Sequence, residues 1–201
     1  FTLGPVDVQV APGHILGLVG ENGNGKTTLL RLLAADLAPD AGQLDWGATA
    51  RDPYALRSQL AYIPQRPHPW GGQLMDHLQF AARSHGVVGE ANRCLVELVI
   101  ARLSLRPFRG HQWKQLSSGY KMRFELARAL LTQPCVLLLD EPLANLDYKL
   151  REELRAEIPR IFEESGAIFV YATTEPEEAL LLGGNTATLW EGRVTQFGPT
   201  P

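Results

Sequence analysis

Near the start of the chain, Gly20-Glu21-Asn22-Gly23-Asn24-Gly25-Lys26-Thr27-Thr28 joins three glycines, a lysine and hydroxyls at a spacing suited to holding phosphate. Glycine at 20, 23 and 25 admits positive φ and leaves no Cβ in the way, so successive backbone N–H groups can form one concave nest. A helix opening at Lys26 adds the positive end of its dipole. Lys26 would set its ammonium on the β- and γ-phosphates, and the Thr27 hydroxyl is placed for a divalent cation. The whole run from Gly20 to Thr28 is the expected phosphate cradle. The alternatives are a Gly-rich turn with no ligand, or the same loop in an unrelated nucleotide enzyme.

A second cluster follows at Val136-Leu137-Leu138-Leu139-Asp140-Glu141-Pro142. The apolar run suits a central parallel strand, and the acidic pair then falls at its C-terminal edge, where α/β sheets gather ligands. Asp140 can hold Mg²⁺ directly or through water, and Glu141 can orient and polarise an attacking water. Isolated, two carboxylates leaving a strand are usually a solvated loop. After this run, and in a chain with the phosphate cradle, they are read as the metal-binding Asp and the catalytic Glu.

These groups need elements to position them. Ile15-Leu16-Gly17-Leu18-Val19 is apolar throughout, as in a strand buried on both faces, and Leu29 to Ala35 is helical in pattern, so the cradle lies between strand and helix. Val6, Val8 and Val10 alternate before a Pro12-Gly13 turn and predict an antiparallel edge strand. Asp52 to Leu60 is read as a polar connection into a strand over Leu60 to Ile63, followed by a Pro- and Gly-rich loop from Arg66 to Gly72. Two helical patterns follow, Leu74, Leu78, Ala81 and Ala82, then Cys94, Leu95, Leu98, Ala101, Arg102 and Leu105. Leu150, Leu154, Ile158, Ile161 and Phe162 mark an amphipathic helix, bent at Pro159. A buried strand is expected over Ala167 to Ala172, and a closing hairpin over Thr186 to Trp190 and Val194 to Phe197.

What narrows the class is Leu116-Ser117-Ser118-Gly119-Tyr120-Lys121-Met122-Arg123, opening a helix that carries Phe124, Leu126, Ala127, Ala129, Leu130 and Leu131. Alone, Ser-Ser-Gly is a helix cap and turn. In this company it resembles the signature motif of ABC ATPases. Gln65 in Tyr62-Ile63-Pro64-Gln65 resembles their Q-loop, Leu143-Ala144-Asn145-Leu146-Asp147 resembles their D-loop, and the motif order matches across nearly the whole chain. The resemblance implies an α/β fold: a P-loop NTPase core with a mixed or parallel sheet, an antiparallel N-terminal β part and an inserted helical subdomain. The core would span about 1–64 and 132–201, and the helical subdomain about 65–131. ATP and Mg²⁺ are the implied cofactors, with Thr27, Gln65 and Asp140 at the metal and Gln65 also at the nucleotide. In this family the signature of one subunit closes over ATP held by another, so Ser117 and the Gly119 backbone would bind the γ-phosphate of a partner's nucleotide. The implied partners are a second ABC ATPase subunit and transmembrane permease subunits, the latter docking near the Q-loop.

The sequence departs from the family pattern at several places. Ser118 stands where Gly is usual and Tyr120 where Gln is usual. The switch histidine aligns with Thr174 in Val170-Tyr171-Ala172-Thr173-Thr174-Glu175-Pro176, and a threonine is shorter and carries no positive charge. Glu141 remains the catalytic expectation, with Thr174 as a γ-phosphate sensor. The aromatic that stacks on adenine is expected outside this chain, with Phe1 a weak substitute.

Composition agrees with one catalytic domain: 201 residues at 45% hydrophobic can bury a full core. A net charge of −3 supplies no basic stripe, which argues against nucleic acid as a partner. No apolar run approaches a bilayer span and no signal peptide is visible, so membrane work would be done from the cytoplasmic face, peripherally on the inner side of the cell membrane. Cys94 and Cys135 are read as buried free thiols, and the five histidines show no ligand spacing. Trp70 and Trp113 are read as packing residues before partner contacts. The stretch from Leu143 to Pro201 resembles carbohydrate or glycerol-type importer ATPases, whereas Gln65 to Leu131 looks closer to export or membrane-remodelling systems; the lean is to import. A soluble P-loop kinase, an ABC ATPase outside transport and a module that closes on ATP with little or no hydrolysis stay open as alternatives.

Overall fold

The computed structural model describes residues 2–46 and 53–201. Six strands form one sheet in the order β2-β3-β4-β1-β5-β6, with β1 Ile15–Val19, β2 Leu60–Ile63, β3 Val136–Asp140, β4 Ile168–Thr173, β5 Asn185–Trp190 and β6 Arg193–Pro199. All neighbours run parallel except β5 and β6, which form the hairpin the sequence predicts. Strands β1, β3 and β4 are apolar in unbroken runs because helices cover both faces of a parallel sheet. On one face α1 (Lys26–Leu33) packs Leu29 and Leu30 against Leu16, Leu18, Leu138, Val170 and Ala172. On the other face lie α5 (Ser118–Leu131) and α6 (Tyr148–Ser165), with α3 (Leu74–Ser84) and α4 (Gly89–Arg102) beyond them.

Four expectations need correction. Val6, Val8 and Val10 do turn inward and pack on the α1 side of the sheet, but no ladder forms there among the described residues. The Gly4 N–H donates to the Gly192 carbonyl at 2.7 Å, and the segment otherwise covers the sheet without extending it. Alternating burial reports which side of a chain is covered, not whether its backbone is paired. The supposed connection before β2 contains a helix, α2 (Pro53–Gln59), with Pro53 at its first position, where a missing N–H costs nothing; Asp52 lies outside the described residues.

In α4 the buried face is Asn92, Val96, Val99 and Ile100, not the face of Cys94 and Leu98; Leu98 is 61% exposed. Cys94, Leu95, Val96, Leu98, Val99 and Ile100 are spread around most of the helix outside the charged face of Glu90, Arg93 and Glu97, so hydrophobicity alone marked its buried face poorly. Asn92 does choose, because its side-chain amide donates to the Gln79 and Val87 carbonyls at 3.0 and 2.9 Å, bonds that need a buried position. Finally, Cys94 and Cys135 are free but exposed, the first on the outward side of α4 and the second just ahead of β3.

α6 runs unbroken through Pro159 and begins with Asp147, whose carboxylate accepts from the Leu150 N–H at 3.0 Å. α7 (Pro176–Leu182) returns the chain from β4 to β5. Trp113 is buried and Trp70 half-buried, the indole N–H of Trp70 donating to Glu125 at 2.6 Å while Arg128 lies 4.6 Å over its ring.

Candidate functional site

Four parallel strands end on the same edge, and the candidate residues follow those ends: the cradle after β1, Gln65 after β2, Asp140 and Glu141 at the end of β3, and Thr174 after β4. Ligands collect at this edge of an α/β sheet. The cradle is tied down on both sides. The Gly20 N–H donates to the Thr173 carbonyl at 3.3 Å, and the Asn24 side chain accepts from the Glu191 N–H at 3.0 Å. Gly20 sits so close to β5 that a Cβ there would lie 2.5 Å from the Leu189 carbonyl oxygen. Gly25 takes φ 99° as the residue before α1, a left-handed turn that brings Lys26 back under the loop.

Lys26 is 4% exposed, and its Nζ donates to the Gly20 and Glu21 carbonyls at 2.8 and 3.2 Å. It also pairs with Glu141 Oε1 at 3.0 Å. The other Glu141 oxygen accepts from Gln65 Nε2 at 2.7 Å. Glu141 has φ 47°, so the chain turns sharply as it leaves β3, and its N–H still bonds the Ala172 carbonyl at 2.9 Å. An arriving phosphate would compete with Glu141 for Nζ.

Beside this pair, Thr27 Oγ1 donates to Asp140 Oδ1 at 3.1 Å and the Tyr62 hydroxyl donates to Asp140 Oδ2 at 3.2 Å. Burial pushes the Asp140 carboxyl above the ordinary carboxylate range, and Glu141 adds to the rise; the two hydroxyls and Lys26 oppose it without cancelling it. Burial and the neighbouring Asp140 likewise push Tyr62 above its usual range, so it stays a donor. Sequence reasoning passed over Tyr62. Its role depends on strand pairing, which places Tyr62 opposite Leu138.

Thr174 is exposed beside the cradle. The turn that carries it is anchored by a buried carboxylate: Glu178 Oε2 accepts from Tyr171 at 2.9 Å and from Thr173 Oγ1 at 2.6 Å, while Thr173 Oγ1 accepts from the Glu175 N–H at 3.0 Å. Ser117 and Gly119 stand elsewhere. No hydrogen bond or ion pair joins them to the cradle among the described residues. Ser117 is the exposed N-cap of α5, and its hydroxyl makes no capping bond. Ser118 Oγ donates to the Asn145 carbonyl at 3.2 Å, linking the signature to the segment before α6. Gly119 is buried, and a Cβ on it would meet Leu150 Cδ2 at 1.8 Å, so this glycine also lets α5 and α6 approach.

The family model of the ABC transporter matches residues 3–144. The chain belongs to the ABC transporter family. Among the relatives of this ABC chain, the spermidine/putrescine import ATP-binding protein of Ruegeria pomeroyi is 33% identical over 98% of this chain and 54% of its own length. The sulfate/thiosulfate import ATP-binding protein of Caulobacter vibrioides is 35% identical over 98% of this chain and 60% of its own length. The chain thus spans little more than half of these relatives. Among solved structures, cbiO1 from Clostridium perfringens, part of an ABC transporter complex, superposes with a TM-score of 0.84 at 25% identity, covering 98% of this chain and 81% of that one. The ABC ATPase architecture expected from the motifs is therefore the fold observed.

Proposed function

We propose that this chain is the ATP-binding subunit of an ABC transporter, hydrolysing ATP at a head-to-tail interface of two nucleotide domains to drive transmembrane partners. The observation that carries it is the convergence of Lys26, Thr27, Asp140, Glu141 and Gln65 within hydrogen-bonding reach at one sheet edge. Residues Gly20 to Thr28 bind the phosphates, with Lys26 and the α1 N-terminus supplying positive charge. Glu141 holds and polarises the attacking water, accepting its proton as the γ-phosphoryl transfers. Thr174 contacts the γ-phosphate, and Ser117 with the Gly119 N–H caps the nucleotide of the partner subunit.

The residues fit Mg²⁺. Thr27 and Asp140 offer a hydroxyl and a carboxylate 3.1 Å apart, the hard oxygen set this ion takes when phosphates and water complete its shell. Gln65, whose amide nitrogen donates to Glu141, the residue after Asp140, would offer its amide oxygen to the ion. Bound there, Mg²⁺ would neutralise charge on the β- and γ-oxygens.

The core comprises about 1–64 and 132–201 and the helical subdomain about 65–131, the face toward the permease subunits. The names of both relatives support import; the chain would act at the inner face of the cell membrane, and no helix among the described residues is long and apolar enough to cross a membrane. A second reading, closure on ATP with little turnover, is favoured by Thr174, whose uncharged hydroxyl replaces the family's histidine. ATP turnover measured with and without Glu141→Gln decides between them: turnover that depends on Glu141 supports hydrolysis, and ATP binding without it supports the closing module.

A further inference from the structure

We propose that Tyr62 is a positioning residue for the metal: its hydroxyl, with that of Thr27, holds both oxygens of the Asp140 carboxylate in the orientation that receives Mg²⁺. This rests on the ATP-dependent reading above and adds to it a role for a residue to which the motifs assign none.

The geometry comes from the sheet. β2 and β3 pair in parallel with Tyr62 opposite Leu138, and directly paired residues in a parallel sheet share a face. Leu138 and Asp140, two apart on β3, share that same face, the one covered by α1. A phenol is about as long as the two-residue rise of a strand, roughly 6.6 Å, so the Tyr62 hydroxyl reaches forward to Asp140. It meets Oδ2 at 3.2 Å, while Thr27, from the first turn of α1, meets Oδ1 at 3.1 Å. Asp140 is 1% exposed, and these two hydroxyls are the side-chain donors it meets among the described residues. With one hydroxyl on each oxygen, the carboxylate plane is fixed. A cation on the Thr27 oxygen would take a lone pair and leave its O–H free to donate to Oδ1, so the two hydroxyls would hold Asp140 together. A phenylalanine would keep the ring and its packing but release Oδ2, and the carboxylate could rotate out of the metal direction.

Tyr62→Phe tests this by separating nucleotide binding with and without the metal. Affinity for a fluorescent ATP analogue is measured in EDTA and across a Mg²⁺ titration, beside the thermal midpoint. The proposal expects affinity in EDTA unchanged within about twofold, and a half-saturating Mg²⁺ concentration raised about fivefold, the value of one ordinary hydrogen bond. In an Asp140→Asn background the same change should add nothing to the Mg²⁺ dependence. An unaltered Mg²⁺ titration overturns the proposal. So does an equal loss of affinity with and without Mg²⁺, which marks a purely structural role. Wild-type protein that binds no ATP analogue in either condition would refute the underlying nucleotide reading instead.

Discussion

At the scale of single residues, Asp140 and Glu141 are neighbours under opposite constraints. Asp140 is buried between two hydroxyls and makes no ion pair among the described residues, whereas Glu141 is paired with Lys26 and Gln65. The raised Asp140 carboxyl gives a stability prediction with a definite sign. In the unfolded chain Asp140 ionises near its ordinary value, about 3.9; the folded protein holds the proton to higher pH. The penalty on folding is therefore full above the folded value, fades as pH falls from there to the ordinary one, and is absent below it. Asp140→Asn should raise the thermal midpoint at pH 7, and the gain should shrink toward pH 4. A scan of melting temperature against pH for both proteins checks it. Lys26→Ala should abolish binding of ATP analogues and also lower stability by about 3 kcal/mol, because Glu141 is left buried without its cation. Titration calorimetry and urea denaturation measure the two effects. The additional Glu141→Gln change should restore most of the stability and none of the binding.

At the scale of elements, the meeting of α5 and α6 is set by a hydrogen atom at Gly119. Gly119→Ala would drive a methyl into Leu150, forcing the helices apart at a cost of about 1–3 kcal/mol. Because Leu150 is a flexible side chain, Leu150→Ala added to Gly119→Ala should recover part of the loss in denaturant titration. Gly20→Ala should not be rescued in this way, since its clash is with the Leu189 backbone. This is also where the sequence was legible and where it was not. The strand into the cradle, the strand into Asp140 and the closing hairpin were readable because each is a local run bounded by turn residues. The α4 face was not, since a helix apolar on most sides is oriented by what packs on it, here the two carbonyls bonded by Asn92. Tyr62 was invisible for a related reason: its partner is 78 residues away, and only the β2–β3 register brings them together. The motif residues Lys26, Thr27, Gln65, Asp140 and Glu141 were legible because their chemistry is local to each motif, and the parallel topology carried them to one edge.

At the scale of the whole molecule, the candidate site is divided. The cradle, the acidic pair and Gln65 form one cluster, while Ser117 presents an uncapped hydroxyl at the start of α5, bonded into no part of that cluster. A nucleotide held by the first and capped by the second requires two chains arranged head to tail. Light scattering of the Glu141→Gln protein after size separation, with and without Mg-ATP, tests this most directly. The account predicts that ATP doubles the molar mass and that Ser117→Arg, placed in the same background, abolishes the doubling while leaving ATP binding by the single chain intact. A mass that ATP leaves unchanged, or a dimer indifferent to Ser117→Arg, would contradict it.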